Sequence, residues 1–172
     1  MDITAANKIS IVGNSGAGKS TLSKKLGVSL GIEVFSIDKI YWLPEWQRRD
    51  QASFQKLHDE WLNAETWIID GVGYWKEMKT RLSESDMVIF LDTPLSLCKK
   101  RAATRIKEEK LAPNSHITAG CLYGDMEKMQ MEAIETFDRE FKPKLAHYLA
   151  RFNPEKVKII KNFEALDIKS AI

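Results

Sequence analysis

Residues Gly13-Asn14-Ser15-Gly16-Ala17-Gly18-Lys19-Ser20 satisfy the pattern G-x-x-x-x-G-K-[ST] in full, and Thr21 follows. Each position has a chemical reason. Glycine at 13, 16 and 18 opens backbone conformations closed to other residues, so that successive N–H groups can point at one anion. A helix beginning near Lys19 adds the positive end of its dipole. The Lys19 ammonium can reach the β- and γ-phosphates of a nucleoside triphosphate, and the Ser20 hydroxyl can ligate Mg²⁺. At ordinary residue usage such a match arises in about one of 10⁴–10⁵ windows. Gly13 to Thr21 therefore reads as a binding loop for ATP or a related triphosphate with Mg²⁺, not as a glycine-rich turn. A second basic feature is Lys99 to Lys110, where six Lys or Arg accompany two Glu. Within it Arg101 and Arg105 share a helix face, so both guanidinium groups can converge on one phosphate.

Apolar runs alternate with helical patterns along the whole chain. Lys8 to Val12, Glu33 to Ile37, Trp67 to Ile69, Met87 to Leu91 and Val157 to Ile160 read as strands. Leu22, Leu26 and Leu30 mark a helical face directly after the loop, and Phe54, Leu57, Trp61 and Leu62 mark another. Trp75, Met78 and Leu82 suggest a short helix, Pro94 suits the first turn of the next, and a last short helix is expected after Ile160. Strands separated by helices argue for βαβ units. The fold class is therefore α/β, a P-loop NTPase-like three-layer α/β/α arrangement with a five-stranded parallel sheet. Pro113, Asn114, Gly120 and Gly124 make about 106–125 the least regular stretch, a candidate mobile lid over the phosphates.

Composition bounds the rest. The 172 residues, 44% hydrophobic and 29% charged, suit one domain over 1–172. A net charge of +2 gives no sign of a nucleic-acid partner. Cys98 and Cys121 form no CxxC pair and the three histidines are scattered, which argues against a disulfide framework or zinc cluster. The N-terminus lacks a signal-peptide pattern, and the longest apolar run, Met87 to Leu91, falls well short of the ~20 residues of a membrane span. A cytoplasmic location without membrane contact is expected.

Three classes of triphosphate-binding protein compete. Asp70-Gly71-Val72-Gly73 fits the D-x-x-G of GTPases, but the N-K-x-D guanine reader is missing. No transport-ATPase signature is present. A short α/β domain with a basic segment after the fourth strand suits a kinase, in which a lid excludes water so that ATP is not merely hydrolysed. A nucleotide-dependent regulator that senses and does not transfer is the alternative.

The stretch Ile11 to Leu22, together with Ile37-Asp38-Lys39-Ile40-Tyr41-Trp42, Pro44, Trp46, Trp67-Ile68-Ile69-Asp70-Gly71, Ser85-Asp86 and Val88 to Pro94, resembles the nucleoside monophosphate kinase-like P-loop kinases. Within that group it is similar to the adenylate kinase-related DNA topology modulation (FlaR-like) proteins. The resemblance covers about 8–105 and implies strand order 2-3-1-4-5. One departure stands out: the family's usual Asp-Gly-Asn-Tyr is here Asp70-Gly71-Val72-Gly73-Tyr74.

Asp38 and Asp70 close the second and third strands, the edge where open α/β sheets bind ligands. Asp70 is expected to orient Mg²⁺ with Ser20, and Asp38 to meet a nucleotide or small hydroxyl acceptor. Arg101 and Arg105 are expected to stabilise the transferring phosphoryl group. Tyr41, Trp42 and Tyr74, with Trp46 and Trp75 nearby, offer either a stacking surface for the acceptor or a small core beneath the loops. The resemblance also places Arg81 near the acceptor or an acidic neighbour. Asp92 is expected to cap the helix after the fourth strand.

Overall fold

In the computed structural model, residues 3–109, 118–121 and 126–161 are described. The apolar runs form the sheet. β1 (Lys8–Gly13), β2 (Val34–Ser36), β5 (Trp67–Asp70), β6 (Met87–Leu91) and β7 (Val157–Ile160) pair in parallel in the order β2-β5-β1-β6-β7. Counted by this sheet's own strands, that order is 2-3-1-4-5, as expected.

Alternate residues of each strand face opposite layers. Ile9, Ile11, Ile68, Met87, Ile89 and Leu91 pack with α1 (Lys19–Leu30), α5 (Leu95–Glu109) and α6 (Glu127–Thr136) through Leu22, Leu26, Cys98, Ala102 and Ile134. On the other face Val12, Val88 and Phe90 meet Met78 and Leu82 of α4 (Trp75–Glu84) and Leu145 and Leu149 of α7 (Lys142–Arg151). Trp67 and Ile69 complete that face against α2 (Ile37–Tyr41) and α3 (Gln51–Leu62). The three-layer α/β/α architecture follows. Among the described residues, no helix is long and apolar enough to cross a membrane.

Three local readings change. The second strand stops at Ser36, and Asp38 stands in the first turn of α2. The stretch between Tyr41 and Arg49 is not simply a loop: β3 (Trp42–Leu43) and β4 (Gln47–Arg48) form an antiparallel hairpin. At its tip Glu45 and Trp46 take positive φ of 59° and 57°. The start of the expected lid is helical, since α5 runs to Glu109 with Ile106 buried. Within the remainder of 106–125, residues 110–117 and 122–125 lie outside the described residues, as does the expected helix after Lys161. Beyond these, α6 continues through a π-helical turn at Phe137–Phe141 into α7, whose first turn holds Pro143.

The core of the α3 face contains a polar residue with a measurable consequence. His58 is fully buried and stacks on Phe54 at 5.6 Å. Burial, reinforced by the Arg81 charge, lowers its pKa from 6.5 to about 4. The folded protein thus favours neutral imidazole, and unfolding releases a group that protonates more readily. Its contribution is complete above pH 6.5 and is lost as pH falls toward 4. The loss amounts to ~3 kcal/mol. His58→Leu is expected to flatten the fall of Tm between those limits, measured by thermal unfolding at a series of pH values. An unchanged slope would exclude this residue as a source of acid sensitivity.

Candidate active site

The carboxyl ends of β1, β2 and β5 and the N-termini of α1 and α2 open into a cleft of about 1030 Å³. Gly13 to Gly16 and Gly18 to Thr21 line one part of it. The loop requires its glycines for close approach as well as for conformation. Gly16 has φ +75°, and a Cβ there would lie 2.3 Å from the Cys98 carbonyl oxygen at the start of α5. The loop is also tied down from outside. Asn14 Nδ2 donates to the Ile134 carbonyl of α6 at 2.8 Å, while its Oδ1 accepts from the Ser15 N–H at 2.7 Å. Thr93 Oγ1 and Arg101 Nη1 both donate to the Ala17 carbonyl, at 3.1 and 3.3 Å.

Lys19 lies along this loop, its Nζ 2.9 Å from the Asn14 carbonyl oxygen. Burial lowers its pKa, and the nearby Asp38 and Asp70 oppose that fall. Burial likewise raises the Asp38 carboxyl above its ordinary range, with Lys19 acting in the opposite direction. The three groups act on one another electrostatically; Lys19 and Asp38 line the cleft, whereas Asp70 is buried and does not.

Asp70 is 1% exposed and takes three hydroxyl contacts. Ser20 Oγ donates to Oδ1 at 3.4 Å, Ser36 Oγ to the same oxygen at 3.2 Å, and Ser23 Oγ to Oδ2 at 2.5 Å. Ser23 is one turn beyond Ser20 on α1 and Ser36 ends β2. Sequence reading missed both, because only the adjacency of β2, β5 and α1 brings them to one carboxylate. A hydroxyl beside a carboxylate is a hard oxygen donor pair suited to Mg²⁺, whose other ligands are commonly phosphate oxygens and water.

Arg101 and Arg105 project from α5 into the same cleft, with Arg105 Nη2 3.2 Å from Ser15 Oγ. The expected helix face thus meets the phosphate loop. The rest of the basic segment divides. Lys100 lines the cleft, but Lys99 pairs with Glu135 of α6. Asp92 does not serve the predicted capping role: its carboxylate meets Lys142 Nζ at 2.7 Å, tying β6 to α7.

The aromatic residues split in the same way. Tyr41, Trp42 and Trp46 line the cleft beside Asp38, with Val72 and Gly73. Tyr74 does not line it. Its hydroxyl donates to the Arg49 carbonyl at 2.5 Å and its ring packs edge-on against Tyr41 and Phe54. Trp75 is farther away, against Phe141 and Tyr148. Arg81 also stays out of the cleft. It is fully buried, and its Nη2 donates to the Gly71 carbonyl at 2.6 Å, which places it under the turn after β5. Gly73 has φ +69°, and a Cβ would stand 2.8 Å from Phe54 Cζ.

Part of the lid stretch reaches the hairpin. Thr118 Oγ1 donates to the Trp42 carbonyl at 2.9 Å, Glu45 N–H donates to the Gly120 carbonyl at 3.1 Å, and Cys121 Sγ lies 3.1 Å from the Leu43 carbonyl oxygen. Residues 118–121 therefore brace the aromatic wall.

No protein-family model and no curated protein matches this sequence. Solved structures do match in fold. Deoxyadenosine kinase from M. mycoides with bound dATP aligns at TM-score 0.57 and 19% identity, covering 96% of this chain and 95% of that one. Shikimate kinase from Acinetobacter baumannii in complex with shikimate aligns at 0.54 and 18%, covering 93% and 85%. Shikimate kinase from Bacteroides thetaiotaomicron aligns at 0.52 and 18%, covering 97% and 94%. At these identities the likeness shows the fold, a three-layer α/β/α arrangement shared with small P-loop kinases.

Proposed function

We propose that this protein is an ATP-dependent phosphotransferase that moves the γ-phosphoryl group of ATP to a nucleotide or small hydroxyl acceptor. The observation that carries this reading is convergence: Lys19, Arg101 and Arg105 lie along one glycine-rich loop, with Asp38 in the same cleft. Fold likeness to kinases of small molecules supports it.

Gly13 to Thr21 bind the triphosphate, with Lys19 supplying charge to its terminal phosphates. Ser20 and Asp70 would hold Mg²⁺, which supplies charge neutralisation at the phosphates when bound. Arg101 and Arg105 neutralise charge that develops on the transferring group. Asp38 faces the acceptor and takes its hydroxyl proton as the new P–O bond forms and ADP leaves. The single chain acts as one catalytic domain, working in the cytoplasm on small molecules.

The test uses ATP labelled at the γ-phosphate, incubated with Mg²⁺ and a panel of nucleosides, nucleotides and hydroxy acids. The expected result is label transferred to an acceptor. Label released only as inorganic phosphate would favour an ATPase or a sensing role, and preference for GTP would favour a GTPase.

A further inference from the structure

A guanidinium in the core is costly unless its surroundings use the charge and its donors. Arg81 is fully buried, and its Nη2 donates at 2.6 Å to the carbonyl of Gly71, the residue directly after Asp70. Burial lowers its pKa to about 10 and the Asp70 charge opposes that fall, so the side chain is positive at neutral pH. A hydrogen bond from a charged donor is stronger than a neutral one. The root of the side chain is fixed as well. Arg81 stands in the last turn of α4, where its carbonyl oxygen lies 2.8 Å from Ser85 Oγ. That hydroxyl is also 2.8 Å from Ser10 Oγ on β1.

Gly71 is held from its other sides too. Its N–H donates to the Ile11 carbonyl of β1 at 3.0 Å. Its φ is +114°, and a Cβ there would stand 2.6 Å from Ile37 Cβ, so α2 closes against its Cα. β1, α2 and α4 thus hold this one residue at its N–H, its Cα and its carbonyl. Asp70, next to it, meets Ser20 and Ser36 at Oδ1 and Ser23 at Oδ2. The serines orient the carboxylate, whereas Gly71 fixes the main chain that carries it. Ser20 and Asp70 form a donor pair only while the end of β5 keeps its place beside α1.

We propose that Arg81 is a positioning residue: by holding the Gly71 carbonyl it keeps Asp70 in register with Ser20, and so sets how well this pair takes Mg²⁺ beside a bound triphosphate. This rests on the reading of Ser20 and Asp70 given above and extends it to a residue buried beneath the turn. Outer partners of a metal-binding carboxylate govern its orientation in this way.

The test titrates Mg²⁺ calorimetrically into the full chain, held in excess over a non-hydrolysable ATP analogue, so that no transfer is required. Arg81→Met removes the donor and the charge together, and replacing a buried ion with an apolar chain of similar volume is often tolerated. It is expected to raise the half-saturating Mg²⁺ concentration by about 10- to 100-fold, the usual cost of losing an outer partner. Affinity for the analogue in EDTA is expected to stay nearly unchanged. Arg81→Lys keeps a cationic donor and is expected to recover part of the loss. Arg81→Gln, shorter and uncharged, serves in place of Arg81→Met should that variant not fold. Because Arg81 acts through Asp70, adding Arg81→Met to Asp70→Asn should cost little beyond Asp70→Asn alone. A merely structural role would instead weaken analogue binding in EDTA as well, and would add its full cost to that of Asp70→Asn. Either of those results overturns the proposal, as does a wild-type Mg²⁺ response in the uncharged variant. Metal binding that follows these variants with no labelled acceptor supports the role of Arg81 and overturns phosphotransfer instead.

Discussion

Lys19→Ala is expected to lower kcat/KM for ATP-dependent transfer by about 10²–10³, the scale of losing one preorganised charge-stabilising donor. Lys19 is the cation that Asp38 and Asp70 both face, and its Nζ already lies 2.9 Å from the Asn14 carbonyl of the loop. Removing it takes charge from the phosphates and leaves two carboxylates without their shared counter-charge. Steady-state kinetics together with calorimetric ATP binding measure the loss, and unchanged values in both would exclude this loop as the triphosphate site. A pH profile adds a sign. Burial lowers the Lys19 pKa, so the alkaline limb of kcat/KM should begin below 10.5. Burial raises Asp38, so the acid limb should lie above 3.8. Lys19→Arg keeps a charge that does not titrate, and is expected to remove the alkaline limb from whatever activity it retains.

Arg105→Ala is expected to lower kcat by about 10³, the lower end of the effect of guanidinium charge delivered to a transferring phosphoryl group. Its Nη2 sits 3.2 Å from Ser15 Oγ, and Arg101 stands one helical turn earlier with Nη1 3.3 Å from the Ala17 carbonyl. The two act on adjacent parts of one loop, so their effects should couple: Arg101→Ala with Arg105→Ala should cost less than the product of the single losses. Arg105→Lys should recover part of the rate, because a point charge replaces a planar fork. Single-turnover rates at saturating ATP separate the chemical step from binding. An Arg105→Ala rate within a few fold of the wild type would assign the residue to surface charge alone.

The glycine-rich loop was legible because its pattern is local. Gly13 to Ser20 must follow one another for their amides to surround an anion, so their spacing is visible in the chain itself. The sheet was legible for a similar reason: short apolar runs at regular separation admit few arrangements, and the order inferred from resemblance matches the pairing observed. Asp38 and Asp70 were found by their place at strand ends, although Asp38 proves to stand on a short helix.

What lay beyond reach was partnership across the fold. Arg81 and Arg105 look alike as helical arginines in the sequence. One is buried under the Gly71 carbonyl and the other enters the cleft, because α4 packs beneath the β5 turn while α5 starts against Gly16. Tyr41 and Tyr74 both follow strands, yet a hydrogen bond to Arg49 holds the second away from the cleft. Lys99 and Lys100 are neighbours, and helical rotation sends the first to Glu135 and the second to the cleft lining.

By itself the sequence determined the glycine-rich loop, the parallel α/β sheet and the strand ends that carry Asp38 and Asp70. Tertiary structure alone decided which charges enter the cleft, that three serines meet Asp70, and that Tyr41, Trp42 and Trp46 line the cleft with Asp38. The physical reason is range. Backbone conformation and hydrophobic period are set by neighbours in the chain, whereas the partner of a side chain is set by which elements the core brings together.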